Sequence, residues 1–248
     1  MDDVIQVEGL CKSYGGLCAL RDFSLSVGRG SVFGLLGANG AGKSTAIECI
    51  LGTKRPDAGT VRILGMDPLS RRRQLFARVG VQFQEANYQE KIKVGELCAV
   101  TACLYRDPAD WRGLLARFGL AGREGALVQE LSGGQRQRLF IVLALLPKPE
   151  AVFLDELTTG LDPRARREVW GALSELKDQG LSILLSSHFM DEVEALCDRI
   201  CILRRGRTVF SGTVAQAVDA SPFARFEDAY LCYTEEEKDE TLLHDAQN

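Results

Sequence analysis

The sequence predicts an α/β fold with a mostly parallel sheet, and two observations lead to this prediction. Short apolar runs recur along the chain, and they are continuous rather than alternating, which is typical of strands covered on both faces of a parallel sheet. These runs are Ser31–Leu36, Val79–Phe83, Ala151–Leu154 and Leu181–Ser186. Stretches with helical periodicity separate them, at Lys43–Leu51, Pro163–Gln179 and Phe189–Cys197. Alternation of this kind is the α/β pattern.

The start of the chain follows a different pattern. Strand signals there are joined by glycine turns rather than by helices, and they cover Ile5–Cys11, Ala19–Val27 and Thr60–Leu64. Strands connected by short turns pair antiparallel. We therefore expect an antiparallel β lobe at the N-terminus, packed beside the parallel sheet.

A third region, from about residue 86 to residue 149, lacks strand signals. Its periodicity predicts helices over Val94–Leu104, Asp110–Phe118 and Gln135–Leu146. We therefore expect a small helical subdomain inserted into the α/β fold. Residues 1–234 then form one domain. Residues 235–248 are rich in acidic side chains, and we expect them to form a disordered tail.

The composition excludes several classes of function. The 248 residues are 46% apolar and 26% charged, as in folded globular proteins. The chain carries 30 Lys and Arg against 34 Asp and Glu, a net charge of -4, which argues against a nucleic-acid partner. The apolar runs Leu139–Leu146 and Leu181–Leu185 fall well short of the about 20 residues that a membrane-spanning helix needs. We expect a cytoplasmic protein.

Cysteines offer one candidate site, because Cys197 and Cys201 lie one helical turn apart on a passage from helix to strand. A metal or redox pair is one interpretation. Zinc-ligand spacing is absent, however, and the chain has only two histidines. We favour the other interpretation, in which both are small buried side chains in a reducing cytosol.

The strongest motif is Gly37–Ser44, which fits G-x-x-x-x-G-K-[ST] and is called the P-loop below. It follows a predicted strand and opens a predicted helix, which is the context that a phosphate-binding loop requires. Glycines allow the backbone to wrap around phosphate, while Lys43 can reach the β- and γ-phosphates and Ser44 can bind Mg²⁺. The predicted nucleotide contacts here are Gly37, Ala38, Asn39, Gly40, Ala41, Gly42, Lys43, Ser44 and Thr45.

Two acidic residues complete this P-loop NTPase core. Asp155 and Glu156 directly follow the apolar strand Ala151–Leu154. In open α/β sheets the carboxyl ends of the strands face the ligand, so both side chains are expected beside the phosphates. Asp155 would hold Mg²⁺, and Glu156 would polarise an attacking water. A solvated acidic loop is the weaker interpretation, because the strand before the pair is wholly apolar.

A second glycine-rich segment, Leu131–Gln135, is called the LSGGQ loop below and precedes an apolar helix. Ser132 can cap that helix, and Gly133 and Gly134 leave its amides bare for an anion. Two such sites on one phosphate would be redundant within one chain. A dimer in which this loop closes on the nucleotide of another subunit resolves the redundancy. Taken alone, the segment would be interpreted as a capped helix only.

Together, the P-loop, the LSGGQ loop, the strand ending in Asp155-Glu156 and the later His188 resemble the ATP-binding subunits of ABC transporters. The resemblance covers the chain from about Ile5 to Thr234. It implies ATP and Mg²⁺ as ligands, ATP hydrolysis, and a homodimer or a heterodimer with a homologue. It also implies an integral-membrane permease on a separate chain, which would hold this protein at the cytoplasmic face of the membrane.

The resemblance also implies roles for individual residues. Tyr14 matches an aromatic residue that stacks on adenine, although by itself it would be interpreted as a strand-edge aromatic. Gln84 matches a glutamine that contacts Mg²⁺ and water and signals to the permease, and His188 matches a sensor of the γ-phosphate. Residues expected to contact the opposite subunit or its nucleotide are Ser132, Gly133, Gly134, Gln135 and Asp162.

Two segments of the sequence narrow the resemblance to one subfamily. Residues 186–199 and Phe226–Leu231 resemble the subfamily paired with six-helix permeases that export drugs, lipids or polysaccharides. The alternatives are a soluble ABC-type ATPase that acts on ribosomes or DNA, and a regulatory module that does not hydrolyse ATP. Three residues depart from the family pattern. Ala38 stands where many relatives carry proline, at a position that points away from the phosphate. Leu157 replaces a proline, so we expect a less rigid turn after Glu156, and Leu143 replaces an arginine.

Overall fold

A computed structural model describes residues 3–83, 88–158 and 160–235. The strands are β1 (Asp3–Tyr14), β2 (Leu17–Gly28), β3 (Val32–Leu36), β4 (Ala58–Ile63), β5 (Val79–Gln82), β6 (Ala151–Asp155), β7 (Ser182–Ser187), β8 (Arg199–Arg204) and β9 (Arg207–Gly212). The helices are α1 (Lys43–Ile50), α2 (Arg72–Phe76), α3 (Val94–Ala102), α4 (Trp111–Arg117), α5 (Gly133–Leu145), α6 (Pro163–Asp178), α7 (Met190–Leu196), α8 (Val214–Asp219) and α9 (Phe226–Thr234). A short 3₁₀ turn spans Val128–Glu130.

The main sheet has six strands in the order β5-β6-β7-β3-β8-β9. All neighbouring pairs are parallel except β8 with β9, which is antiparallel. The predicted mostly parallel sheet is therefore confirmed. Its central strands are buried along their whole length, because successive side chains enter different cores: Phe153 of β6 packs on one face, and Val152 and Leu154 pack on the other.

The predicted antiparallel lobe is also confirmed. β1 pairs antiparallel with both β2 and β4 in a three-stranded sheet. Its apolar side chains, including Ile5, Leu10 and Phe23, share one core with α1 and with Phe33 of the main sheet. This core fixes the end of the β1–β2 hairpin beside the loop that leaves β3.

The described residues between β5 and β6 include the helices α3, α4 and α5, as predicted. Their apolar side chains, among them Cys98, Leu115 and Leu139, pack with Val152 and Leu154 on the face of the main sheet opposite the N-terminal lobe. Trp111 and Leu114 cover this core at its edge. The helical region therefore rests on the same sheet that carries the acidic pair.

The structure contains elements that no prediction covered. β8, β9 and the short helices α2, α8 and α9 were not assigned from the sequence. Each is only 5 to 9 residues long, so hydrophobic periodicity over so few residues is weak. The last two helices cover the end of the sheet through Ala217 and Phe226, which pack with Leu36 and Ile202.

Of the cysteine pair, Cys201 is buried as expected, whereas Cys197 is partly buried against the core. Cys201 is fully buried in β8, and a Cβ placed on Gly34 would lie 2.8 Å from Cys197 Sγ, so Cys197 fills the space that this glycine leaves. Both thiols are free, and burial raises the pKa of each. Within residues 3–83, 88–158 and 160–235 we find no group of three or more potential metal ligands and no helix with the length and hydropathy of a membrane span.

Candidate functional site

The P-loop starts where the buried strand β3 ends, and it adopts a conformation that only glycine allows. Gly37 has a φ of 149°, and a Cβ there would lie 2.5 Å from the Leu203 carbonyl oxygen. Gly42 has a φ of 110°, and its Cβ would lie 2.6 Å from the Ala19 carbonyl oxygen. Side chains at either position would clash with backbone as well as strain the loop. Gly42 directly precedes α1, so the loop leads into the helix N-terminus as predicted.

Lys43 lies at the base of this loop and is almost fully buried. Its ammonium donates hydrogen bonds to the carbonyl oxygens of Gly37 at 2.7 Å and Ala38 at 3.2 Å. Burial lowers the pKa of Lys43, and the nearby carboxylates of Glu156 and Asp155 oppose that shift. The side chain is thus held by the loop that it is predicted to serve, within the electrostatic field of the two acids.

Asp155 is the last residue of β6 and Glu156 follows it. Both lie beside Lys43, but they occupy different environments. Asp155 is buried, and its Oδ1 accepts a hydrogen bond from the hydroxyl of Ser186. Glu156 is partly buried and has a φ of 52°, which is unusual for a residue with a side chain. Its backbone N–H donates to Ser186 Oγ at 3.0 Å. One serine of β7 therefore positions both acidic residues.

The turn after Glu156 is fixed from a second side. Gln137 of α5 donates hydrogen bonds from Nε2 to the carbonyl oxygens of Glu156 at 3.2 Å and Leu157 at 3.1 Å. Leu157 itself is fully buried in the core of the helical region. The expected loss of rigidity at Leu157 is therefore offset by these two hydrogen bonds and by core packing. We had no expectation for Gln137, because its position becomes meaningful only once α5 is docked on β6.

His188 directly follows β7 and faces Glu156. Its Nδ1 lies 4.0 Å from Glu156 Oε1, and its side chain is 42% exposed against 16% for Glu156. The imidazole packs on the ring of Phe189, with 4.2 Å between ring centroids. A half-exposed histidine opposite a partly buried carboxylate is suited to contact a ligand that enters from solvent.

A cleft with a volume of about 1150 Å³, called the P-loop cavity below, brings most predicted site residues together. The predicted residues that line it are Tyr14, Gly37, Ala38, Asn39, Gly40, Gly42, Lys43, Ser44, Thr45, Glu156 and His188. Ala41 is buried beneath the loop instead. At the outer end, Tyr14 is 40% exposed, and the ammonium groups of Lys12 and Lys54 lie 5.4 and 5.3 Å from its ring centroid.

Sequence reasoning missed several residues that line the same cavity, among them Cys18, Arg205 and Tyr230. Cys18 stands near Tyr14 at the start of β2, and Arg205 lies in the turn between β8 and β9. Burial raises the pKa of the Tyr230 phenol, and a backbone hydrogen bond from Gly37 opposes that shift. Tyr230 belongs to the C-terminal segment that carried a subfamily resemblance, which was the only signal available for it.

The LSGGQ loop lies outside the P-loop cavity of its own chain. Ser132 caps α5 as predicted: its Oγ accepts from the Gln135 N–H at 3.2 Å, and Gln135 Oε1 accepts from the Ser132 N–H at 3.1 Å. Gly133 is exposed with no atom near its missing Cβ, whereas a Cβ on Gly134 would lie 2.7 Å from Leu161 Cδ2. The loop thus presents a helix N-terminus to solvent while packing against Leu161.

Asp162 follows directly and caps another helix. Its Oδ1 accepts hydrogen bonds from the N–H groups of Ala165 at 2.9 Å and Arg164 at 3.0 Å, at the start of α6. These hydrogen bonds lower the pKa of Asp162. The residue does not line the P-loop cavity.

Two predictions concern Mg²⁺. Gln84 lies outside the described residues. The donors that are described, the exposed hydroxyl of Ser44 and the carboxylate of Asp155, are hard oxygen ligands of the kind that Mg²⁺ binds together with phosphate oxygens. Both groups lie close to the P-loop lysine, since the Asp155 carboxylate acts on the pKa of Lys43 and Ser44 follows Lys43 in the chain, so these residues fit the ion.

Known proteins share the sequence pattern and the fold of this chain. A family model described as ABC transporter matches residues 20–159. A solved structure of the ATP binding subunit of an ABC transporter superposes with a TM-score of 0.86 at 28% identity, over 94% of this chain and 100% of that chain.

Two curated relatives are similar over most of the chain. Nod factor export ATP-binding protein I of Mesorhizobium japonicum is 39% identical over 220 residues, which cover 87% of this chain and 65% of the relative. Daunorubicin/doxorubicin resistance ATP-binding protein DrrA of Streptomyces peucetius is 37% identical over 219 residues, which cover 86% of this chain and 66% of the relative. The chain therefore spans about two thirds of the length of these relatives.

Proposed function

The chain belongs to the ABC transporter family, and from this premise we propose that it binds and hydrolyses ATP to power a separate membrane permease. One observation carries the proposal: a single cavity is lined by the P-loop, by Glu156 and by His188. These groups match the needs of phosphoryl transfer, which are phosphate binding, placement of water and compensation of charge.

The residues of this chain have distinct tasks in the proposed reaction. Lys43 exchanges its carbonyl partners, Gly37 and Ala38, for the β- and γ-phosphates of ATP. Glu156 orients a water and accepts its proton while the water oxygen bonds to the γ-phosphorus and the bond to the ADP oxygen breaks. His188 donates a hydrogen bond to the γ-phosphate. Ser44 and Asp155, with Gln84, would hold Mg²⁺, which would supply positive charge at the phosphate oxygens.

We propose that two copies, or one copy and a homologue, enclose two ATP molecules. The LSGGQ loop supports this, because Ser132 and Gly133 are exposed and lie outside the cavity of their own chain. The helix N-terminus that they leave open carries partial positive charge and suits a γ-phosphate from a second subunit. Asp162 follows Leu161, which packs against Gly134 of this loop. Hydrolysis removes the shared phosphate, so the dimer reopens.

Export is the proposed direction of transport, with a drug, lipid or polysaccharide as cargo. The names of the relatives, which refer to Nod factor export and daunorubicin resistance, support it. The permease would dock on the helical subdomain and the loop that contains Gln84. It would hold this chain at the cytoplasmic face of the membrane.

Glu156→Gln tests the hydrolytic part of the proposal. The amide keeps the shape of the side chain but cannot accept the proton, so the turnover number should fall by about 10²–10⁴-fold while ATP still binds. ATP should then trap a dimer, which size-exclusion chromatography with ATP and Mg²⁺ would detect. Glu194→Gln, at an exposed position of α7, is the matched control and should leave turnover unchanged.

Two outcomes would contradict the proposal. Wild-type turnover in Glu156→Gln would show that Glu156 does not take part in the reaction.

Cofractionation tests the partner: the chain should sediment with membranes, and deletion of the permease should release it. Cosedimentation with ribosomes in place of membranes would instead indicate a soluble ABC-type ATPase.

A further inference from the structure

Glu192 is a fully buried carboxyl group that the proposed reaction does not use. It lies on α7, one turn after His188. The indole Nε1 of Trp170, on α6, donates a hydrogen bond to its Oε1 at 3.2 Å. The other oxygen, Oε2, is buried and has no hydrogen-bond partner among the described residues. A buried carboxyl with one oxygen that lacks a hydrogen bond costs free energy in the folded state.

A second orphan lies on the segment after the acidic pair. Thr158 is fully buried, and its Oγ1 likewise lacks a hydrogen-bond partner among the described residues. Thr158 and Ser187 lie near the Glu192 carboxyl and lower its pKa. Thr158 stands two residues after Glu156, and Ser187 directly precedes His188. Glu192 therefore lies beside both segments that carry the predicted reacting side chains.

The surroundings of Glu192 act on its pKa in opposite directions. Burial raises the pKa, and the nearby polar groups of Ser187, Thr158 and Trp170, together with Arg166, oppose the shift. The guanidinium of Arg166 is engaged elsewhere: it pairs with Asp191 at 3.0 Å and lies 4.2 Å from the ring centroid of Phe189. No ion pair joins Glu192 to a cation in the part of the chain that the structure describes.

We propose that Glu192 is a positioning residue for ATP hydrolysis, which couples the segment after Glu156 to the segment before His188. The two side chains face each other across 4.0 Å between Nδ1 and Oε1, so a bridge behind them sets how they approach the γ-phosphate together. Geometry of this kind affects the chemical step, because small displacements of a reacting group are costly. The inference rests on the proposed hydrolysis and adds a residue outside the P-loop cavity.

Glu192→Ala and Glu192→Gln test this role in a steady-state ATPase assay of the full chain. Alanine removes the bridge and should lower kcat about tenfold or more, with the KM for ATP within about twofold, because the P-loop and Tyr14 are untouched. Glutamine retains both a donor and an acceptor and should restore kcat to within about twofold of wild type. Glu194→Ala, at an exposed position of the same helix, is the control and should match wild type.

Thr158→Val removes the hydroxyl group on one side of the proposed bridge and leaves Glu192 unchanged. It should lower kcat without changing KM, and it decides the question if Glu192→Ala does not fold. A wild-type kcat per folded molecule in Glu192→Ala or in Thr158→Val would overturn the role, as would an equal loss in Glu192→Gln and Glu192→Ala. An inactive wild-type chain that still binds ATP would instead overturn the proposed hydrolysis, and this role with it.

Discussion

The P-loop and the LSGGQ loop both place glycines before a helix, but they need these glycines for different reasons. Gly37 and Gly42 have positive φ, and a Cβ on either would clash with backbone oxygen. Gly133 and Gly134 do not have positive φ. Gly133 has open space around it, and Gly134 packs closely on Leu161. The P-loop glycines therefore determine the conformation of the loop, whereas the LSGGQ glycines determine what can approach a helix N-terminus.

The two loops also differ in whether one chain supplies their neighbours in the predicted site. The P-loop lies in a cavity with Glu156 and His188 of the same chain. The LSGGQ loop has its cap satisfied by Ser132 and Gln135, yet it faces solvent rather than that cavity. Mutations in the two loops should therefore separate ATP binding from ATP hydrolysis.

Gly42→Ala should have the largest effect. Alanine at a φ of 110° is strained by about 1–3 kcal/mol, and its Cβ would meet the Ala19 carbonyl at 2.6 Å. The loop must shift, so ATP affinity should fall by about 100-fold or more, as measured by isothermal titration calorimetry. Gly171→Ala, inside α6 with no atom near the missing Cβ, is the control and should raise stability by up to about 1 kcal/mol. Wild-type ATP affinity in Gly42→Ala would contradict the role of its backbone conformation.

Gly133→Ala should have an intermediate and different effect. The space around Gly133 is open and its φ is ordinary, so the thermal melting temperature and the ATP affinity of the isolated subunit should be unchanged. Only closure onto a second subunit should suffer, because the added methyl covers the exposed helix N-terminus. We expect turnover to fall about tenfold, a loss of roughly 1.4 kcal/mol of transition-state stabilisation. Full turnover in this variant would indicate that the LSGGQ loop caps a helix and has no role in turnover.

Tyr14→Leu should have the smallest effect, and it tests the outer end of the P-loop cavity. Loss of stacking on adenine costs roughly 1 kcal/mol, so the Kd for ATP should rise about fivefold with turnover at saturation unchanged. Phe223→Leu replaces an aromatic side chain of similar exposure outside the cavity and should leave the Kd unchanged. An unaltered Kd in Tyr14→Leu would make Tyr14 a strand-edge aromatic only.

Long apolar runs and fixed motif spacing made much of the molecule predictable. The strands β3, β6 and β7 were predicted to within one residue at each end, because a fully buried strand needs an unbroken apolar run. β8 and β9 were missed. The run in β8 is bounded by arginines, and β9 mixes polar and apolar residues, so only pairing with β3 and with each other identifies them as strands.

The sequence by itself determined the α/β class, the antiparallel lobe and the P-loop, since local periodicity and glycine spacing are properties of short segments. Only the tertiary structure decided which distant residues support the acidic pair. Ser186 and Gln137 hold the turn at Glu156, and Glu192 lies beside Thr158. The residues of these pairs are about 19 to 34 positions apart and meet through the packing of α5, β7 and α7 on β6, and no local pattern encodes such distances.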